Sequence, residues 1–471
     1  MGLQPLLIEK DTRFGGRADP ATGDAVDTGP HVLLTEYRNM QAWLERLGTA
    51  QQVLWQRDRL ITLLDHGRRV LMHSSHLPPP LHGLPNLPAA LRCVGPLDLL
   101  SNYRVAWRAM RMNEADTLAL DGIDALSWLR AQGVSEAFIG WFWVSASMTL
   151  LNVPLPHCSA AALMRIFRQM TGHSGFHFGL PKVSLAELFT EPALRALTAA
   201  GTQFRRGTAV RSLELRDGQL DALVLNDGSR LAARCCVLAL PPQVLRELAP
   251  PQWSGGGSAP ELATRFEGSP YVSTYLWFDR KLTSERFWAR CWVPGDLNSD
   301  FYDLSNFRGG GDPDAPSLIA CNAIHAHRAW NASDEQIVRS CVAEIAGYAP
   351  LAARARLRHA AVHRIPMAIP CAWPGTETAR PPTATDIDGL FLAGDWTRTG
   401  LPASMESAVR SGWLAAEAVT ARLRGPRSIA RPVPETTGIA GLLRRRSGSS
   451  APPGPLDATG RLAPVLGQGA R

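Results

Sequence analysis

The opening residues constrain the fold more than any other stretch. Pro5-Leu6-Leu7-Ile8-Glu9-Lys10 is an apolar run of strand length that ends in an acid, and Arg13-Phe14-Gly15-Gly16-Arg17 follows at once. A run this short, bounded by Gly2 and by the Gly15-Gly16 pair, suits a buried parallel strand. In a dinucleotide-binding unit, an acid at the tip of such a strand accepts hydrogen bonds from ribose hydroxyls. Two glycines permit close approach of a ligand to the backbone, and an arginine there faces a diphosphate. Each half has a plainer reading, a chance acid or a glycine turn with a solvated arginine. Together they favour a nucleotide cofactor.

A second segment near the other end points the same way. Leu390-Phe391-Leu392-Ala393 reads as a buried strand that runs into Gly394-Asp395-Trp396-Thr397. Leu401-Pro402-Ala403-Ser404-Met405-Glu406 then starts a helix predicted over residues 404–424. The acid suits sugar hydroxyls, and the unbonded N–H groups of the helix start suit an electron-rich ligand. Small residues Ala403, Ala408 and Gly412 would let that helix approach a flat ring; capping alone is the plainer alternative.

Between these ends the pattern alternates. Residues 37–47 have apolar positions at helical spacing, with Gly48 as C-cap. Short strands are expected at 53–55 and 59–64. Residues 77–97 are rich in Pro and Leu, and Leu77-Pro78-Pro79-Pro80-Leu81 cannot be helix interior. A helical region follows to about residue 166, and its aromatic stretch Phe138-Ile139-Gly140-Trp141-Phe142-Trp143 reads as core or as the lining of an apolar tunnel or membrane patch. A helix over 184–200, strands at 207–215, 223–225 and 235–240, and a turn at Asp217-Gly218 come next. Residues 272–280 begin a second sheet-forming region. Beyond Gly425 the composition predicts a disordered tail.

Composition narrows the classes. The chain has 471 residues, 45% hydrophobic and 19% charged, enough for two cores. The net charge of +7 is spread as scattered arginines, with Arg444-Arg445-Arg446 as the only run. That excludes a nucleic-acid groove and leaves a weak attraction to anionic membrane surface. The eight cysteines show no metal-ligand spacing, so no metal is expected, and Cys235 and Cys236 read as buried strand residues in a reducing cytoplasm. No run of eighteen apolar residues is present.

Leu6-Leu7-Ile8-Glu9-Lys10 with Gly15-Gly16-Arg17, and the segment Gly394 to Gly412, resemble the two FAD signatures of the phytoene desaturase and flavin amine oxidase superfamily, over about residues 5–423. Gly394-Asp395-Trp396-Thr397-Arg398-Thr399-Gly400-Leu401-Pro402-Ala403 most resembles the squalene-associated branch, the hydroxysqualene dehydroxylases. Asp27-Thr28-Gly29-Pro30-His31 and Tyr37-Arg38-Asn39-Met40 resemble both that branch and plant-type phytoene desaturases, while residues 275–282 resemble the desaturases. Amine oxidases of the superfamily place a tyrosine in the C-terminal signature. Leu401-Pro402-Ala403-Ser404 has none, which favours a hydrocarbon or alcohol over a cationic amine.

The resemblance implies an α/β chain in which a Rossmann-like FAD-binding domain (residues 1–75, 185–250 and 385–424) interleaves with an α+β substrate domain (76–184 and 251–384), followed by a tail at 425–471. It assigns Glu9, Gly15, Gly16, Arg17, Val210, Gly394, Asp395, Ala403, Ser404 and Met405 to FAD. His31 is a candidate neighbour of the flavin or a structural histidine, and no catalytic acid is identified. Superfamily members carry a Gly-x-Gly-x-x-Gly turn roughly twenty residues before the acid, whereas eight residues precede Glu9. The expectation is therefore a chain lacking the first strand and glycine turn, with weakened FAD binding. The implied activity is hydride transfer at flavin N5 on an isoprenoid, by a cytoplasmic protein peripheral to the inner membrane face. A flavin amine oxidase and a non-catalytic homologue are the alternatives.

Overall fold

A computed structural model describes residues 3–18, 26–253 and 255–445. It shows a mixed α/β architecture with a Rossmann-like cofactor-binding fold beside a large mixed sheet. Two short parallel pairs underlie the first part. Leu6–Ile8 pairs with Gln203–Arg205, and Cys236–Leu238 pairs with Leu390–Leu392. Ile8, Val210, Leu238, Leu390, Leu392 and Trp396 share one hydrophobic cluster, so strands from three distant parts of the chain rest on a common core. The hairpin Val210–Arg216 and Gln219–Leu225 packs beside them, joined through Asp217 and Gly218, both at positive φ. That is the backbone a tight two-residue turn demands.

The large sheet has seven strands in the order Leu357–Pro370, Gly268–Phe278, Leu318–Ala323, Asp300–Asp303, Phe287–Arg290, Ile61–Asp65 and Arg68–Met72. The helix Asp334–Tyr348 covers it, burying Ile337, Cys341 and Ile345 against Val272, Leu276 and Trp288. A separate helical core forms around Ala160–Gly172.

Several expectations are corrected here. Leu6–Ile8 is a parallel strand, but Leu6 and Leu7 are 36% and 38% exposed because the strand is paired along one edge in a two-stranded sheet. For the same reason Cys235 and Cys236 are half-buried rather than core residues. Residues 61–72, assigned by sequence to the cofactor domain, belong to the seven-stranded sheet, where Trp288 to Arg290 align with Thr62 to Leu64. The aromatic stretch turns inward: Phe138 and Trp143 are buried, and Trp143 Nε1 donates to Asn102 Oδ1 at 3.0 Å.

The tail expected to be disordered from residue 425 instead folds back as far as residue 445. Glu417 accepts from Ala430 N at 2.7 Å, Asn39 Oδ1 accepts from Arg431 N at 2.8 Å, and a helix at Gly438–Leu443 buries Ala440. Backbone polar groups satisfied by side chains of distant elements order a segment that composition alone marks as loose. The remainder of the tail, with Arg446, lies outside the described residues.

Candidate functional site

The two sequence segments meet through one ion pair. Arg17 Nη2 donates to Asp395 Oδ1 at 2.7 Å, across 378 residues of sequence, and Arg17 Nη1 donates to Ala368 O at 2.9 Å on the large sheet. Asp395 is almost fully buried and Arg17 only partly so. Burial works against the Arg17 charge, but the charge and hydrogen bond of Asp395 leave its pKa above the ordinary value.

Local sequence explains the placement of Asp395. Leu390–Leu392 ends at Gly394, whose φ of +144° is open to glycine and strained for other residues. A Cβ there would lie 2.8 Å from Trp396 Cδ1 and Nε1, and Trp396 Nε1 is itself committed to Leu240 O at 2.9 Å. The chain therefore turns under Trp396 and presents Asp395 outward from the strand end. Its carbonyl accepts from Arg380 Nη1 at 2.9 Å and from Ser407 Oγ at 3.2 Å, and Gly394 N donates to Ser411 Oγ at 2.8 Å. Arg380 was not singled out from sequence, and Ser407 and Ser411 stood in the C-terminal segment without a role.

The helix Met405–Leu423 starts where expected, with Ser404 as N-cap accepting from Ser407 N at 3.2 Å. Its first turn holds an acid that the sequence reading quoted without a role. Glu406 Oε1 accepts from Asn39 N at 3.0 Å and Asn39 Nδ2 at 2.7 Å, and Oε2 accepts from Met40 N at 2.8 Å. This carboxylate caps the helix Arg38–Leu47, whose own N-cap residue Tyr37 makes no side-chain capping bond. The available signal was the pairing of an acid at a helix start with a second, uncapped helix. Ala403 and Met405 flank Ser404 at this helix start, and Gly412 lies on the same helix with open space around it.

Glu9 and Val210 lie together at the other parallel pair. Glu9 N donates to Arg205 O at 2.8 Å, Thr208 N donates to Glu9 O at 3.0 Å, and Val210 begins the following strand. The Glu9 carboxylate accepts from Asp11 N at 3.0 Å. Gly15 and Gly16 take φ values of +130° and +54°, and nothing crowds the Cβ side of Gly16. Among the described residues no hydrogen bond links the Glu9 end to the Asp395 end; Ile8, Val210, Leu392 and Trp396 join them through the core.

His31 sits near the ion pair. Its Nδ1 lies 2.8 Å from Gly29 O, a carbonyl that can only accept, so Nδ1 carries the proton. Burial holds its pKa below the ordinary value, leaving a neutral ring. Gly29 presses on the large sheet: a Cβ there would meet Ser273 Oγ at 2.7 Å.

Behind Asp395 lies a buried ionic network. Glu377 pairs with Arg165 at 2.6 Å and with Arg380 at 2.8 Å, all three side chains at most 5% exposed. The described residues contain no cluster of metal-ligating side chains. A glycine turn, a carboxylate that suits sugar hydroxyls, an arginine that suits a diphosphate and a helix N-terminus fit FAD in kind. They define an FAD-dependent oxidoreductase.

Comparison with known proteins agrees. Residues 1–420 match the family described as flavin containing amine oxidoreductase, and the chain belongs to it. Among curated relatives, the 15-cis-phytoene desaturase of Capsicum annuum is 27% identical over 450 residues, covering 89% of this chain and 74% of that protein. The 15-cis-phytoene desaturase of Synechococcus elongatus is 26% identical over 451 residues, covering 89% and 92%. Among solved structures, cyclohexylamine oxidase from Brevibacterium oxydans superposes with a TM-score of 0.64 at 18% identity, over 90% of this chain and 94% of that one, a likeness of fold.

Proposed function

We propose that this oxidoreductase acts on an isoprenoid hydrocarbon or its alcohol, as a carotenoid-type desaturase or a hydroxysqualene dehydroxylase. The observation that carries the reading is an apolar face presented to solvent by the short helices Leu87–Cys93, Pro96–Ser101 and Tyr103–Arg111. Leu97 and Leu100 are 80% and 63% exposed there, with Leu84, Leu91, Tyr103 and Trp107 also exposed. Exposed apolar side chains on neighbouring short helices, interspersed with Arg92, Arg104, Arg108 and Arg111, suit an interfacial protein that takes a water-insoluble substrate from a lipid surface. The phytoene desaturase relatives support the same substrate class.

In this reading Glu9 holds the ribose, Arg17 the diphosphate and Asp395 the ribityl chain, while the start of the helix Met405–Leu423 faces the ring. Bound FAD supplies hydride acceptance or donation at N5. The chain orients it and excludes water, and neutral His31 beside Arg17 donates its Nδ1 proton to Gly29 rather than to substrate. Association with the inner face of a membrane is part of the proposal; no helix among the described residues is long and apolar enough to cross one.

The test incubates FAD-supplemented protein in lipid vesicles with phytoene, with hydroxysqualene plus a flavin reductant, and with primary amines. Conversion of either isoprenoid supports the reading. Peroxide formed with amines and no isoprenoid product overturns it.

A further inference from the structure

A cavity of about 540 Å³ lies between the helix Ala160–Gly172, the 377–380 and 398–400 turns, and the folded-back chain at 433–436. Five arginines line it: Arg165, Arg168, Arg380, Arg398 and Arg444. Three carboxylates face them, Glu114, Glu377 and Glu435, so positive charge is in excess. Glu377 is shared by Arg165 and Arg380, and Glu114 by Arg165 and Arg168. Glu435 forms no ion pair among the described residues.

Among the described residues, Arg398 and Arg444 form no ion pair with a carboxylate. Arg398 Nε donates to Arg380 O at 3.1 Å, and Arg444 Nη1 to Thr436 Oγ1 at 3.0 Å. Arg165, 5% exposed, keeps Nε without a hydrogen-bond partner. Neighbouring positive charges add to the effect of burial on the titratable groups here. Burial and then the charge of Arg444 pull Arg168 below its ordinary pKa. His173 is pushed down to about 4 by burial, then by Arg38, Arg444 and His82. An oxyanion placed among these groups would relieve the repulsion and supply acceptors in the geometry that planar guanidiniums prefer.

We propose that this cavity binds the phosphate or diphosphate group of a small or amphiphilic molecule, separately from FAD. Leu118, Val433 and Pro434 line it beside the arginines and suit an apolar attachment to the anion. Arg444 follows directly on the helix Gly438–Leu443, which rests on the Pro-Leu segment through Ala440 N to Pro79 O at 3.3 Å and leaves Leu442 87% exposed. The anion site thus neighbours the apolar face. It stands independently of the isoprenoid reading.

The test is calorimetric titration of the full chain with inorganic diphosphate at low ionic strength, with and without saturating FAD. A parallel arm measures sedimentation with phosphatidylcholine vesicles containing or lacking phosphatidate. Arg398→Gln and Arg444→Gln are compared with Arg195→Gln, a distant exposed arginine, after circular dichroism confirms folding. Arg444→Gln, on the folded-back tail, keeps the test available should Arg398→Gln fail to fold. Diphosphate binding weakened about tenfold or more by the cavity variants and untouched by FAD supports a site for soluble phosphoryl ligands. Phosphatidate-dependent binding lost in the same variants, without diphosphate binding, supports a headgroup site. No binding in either arm, equal weakening by Arg195→Gln, or displacement by FAD overturns the proposal.

Discussion

Replacing Glu377 by glutamine removes a carboxylate that two buried guanidiniums share, at nearly unchanged volume. Arg165 and Arg380 would remain 5% and 4% exposed, and desolvated charges without a counterion are costly. Breaking a buried pair by removing one partner costs about 3–5 kcal/mol. Arg165 retains Glu114, so the lower end, about 3 kcal/mol, is expected. The assay is equilibrium urea unfolding at pH 7, followed by tryptophan fluorescence and by circular dichroism so that coincident transitions license a two-state treatment. The pH dependence has a definite sign. Burial alone would raise the Glu377 pKa, but the charges of Arg380 and Arg165 outweigh it and hold it below the ordinary 4.5. A carboxylate with a depressed folded-state pKa contributes stability above its unfolded value and loses it as pH falls through the folded one. The gap between wild type and Glu377→Gln should therefore be full at pH 7 and close below about pH 4.5. Adding Arg165→Met should recover part of the loss, with a coupling of about 1.5 kcal/mol or more. A loss under about 0.5 kcal/mol at pH 7, or a gap that stays constant down to acid pH, would refute the reasoning.

Four further outcomes follow from other contacts. Gly394→Ala forces a Cβ to within 2.8 Å of Trp396 at a φ of +144°; a destabilisation of about 2–4 kcal/mol is expected, read as a lowered urea midpoint. Arg17→Met deletes a charge-assisted bond at the proposed diphosphate position and should weaken FAD about tenfold in a flavin fluorescence titration. Glu406→Gln trades a charged cap for an amide that can satisfy fewer N–H groups, costing about 1–2 kcal/mol and increasing amide exchange at Asn39 and Met40. Leu97→Asp with Leu100→Asp should abolish vesicle binding while leaving the urea midpoint within about 0.5 kcal/mol of wild type, because both side chains already face solvent.

How much was legible depended on the range of the interaction. Gly48 as a C-cap, the Asp217-Gly218 turn, and the helix that starts after Ser404 are each set by a few adjacent residues, and each was readable. The meeting of Arg17 with Asp395 was implied because both segments carry chemistry that makes sense only around one ligand. The Glu114, Arg165, Glu377 and Arg380 network was not readable, since its members lie on a short helix, a long helix and a loop with no shared periodicity. Burial of Leu6 and Leu7 was misjudged because hydrophobicity reports a preference, while exposure depends on how many neighbours a strand acquires. The order of the 425–445 segment was missed for a related reason: its stability comes from Asn39, Glu417 and Pro79, far from any compositional window.

The ion pair between Arg17 and Asp395 also sets a timetable for synthesis. At about 5–20 residues per second, about 20–75 seconds separate the emergence of the two partners from a ribosome. During that interval the strand Leu6–Ile8 has neither Asp395 nor Leu390–Leu392 to share its core, and the helix Arg38–Leu47 has no Glu406 to close its N-terminus. The Arg17–Asp395 contact thus forms late in synthesis, when most of the chain has already emerged. Chains released before residue 395 would be substrates for holdase chaperones and proteases rather than weakened enzymes.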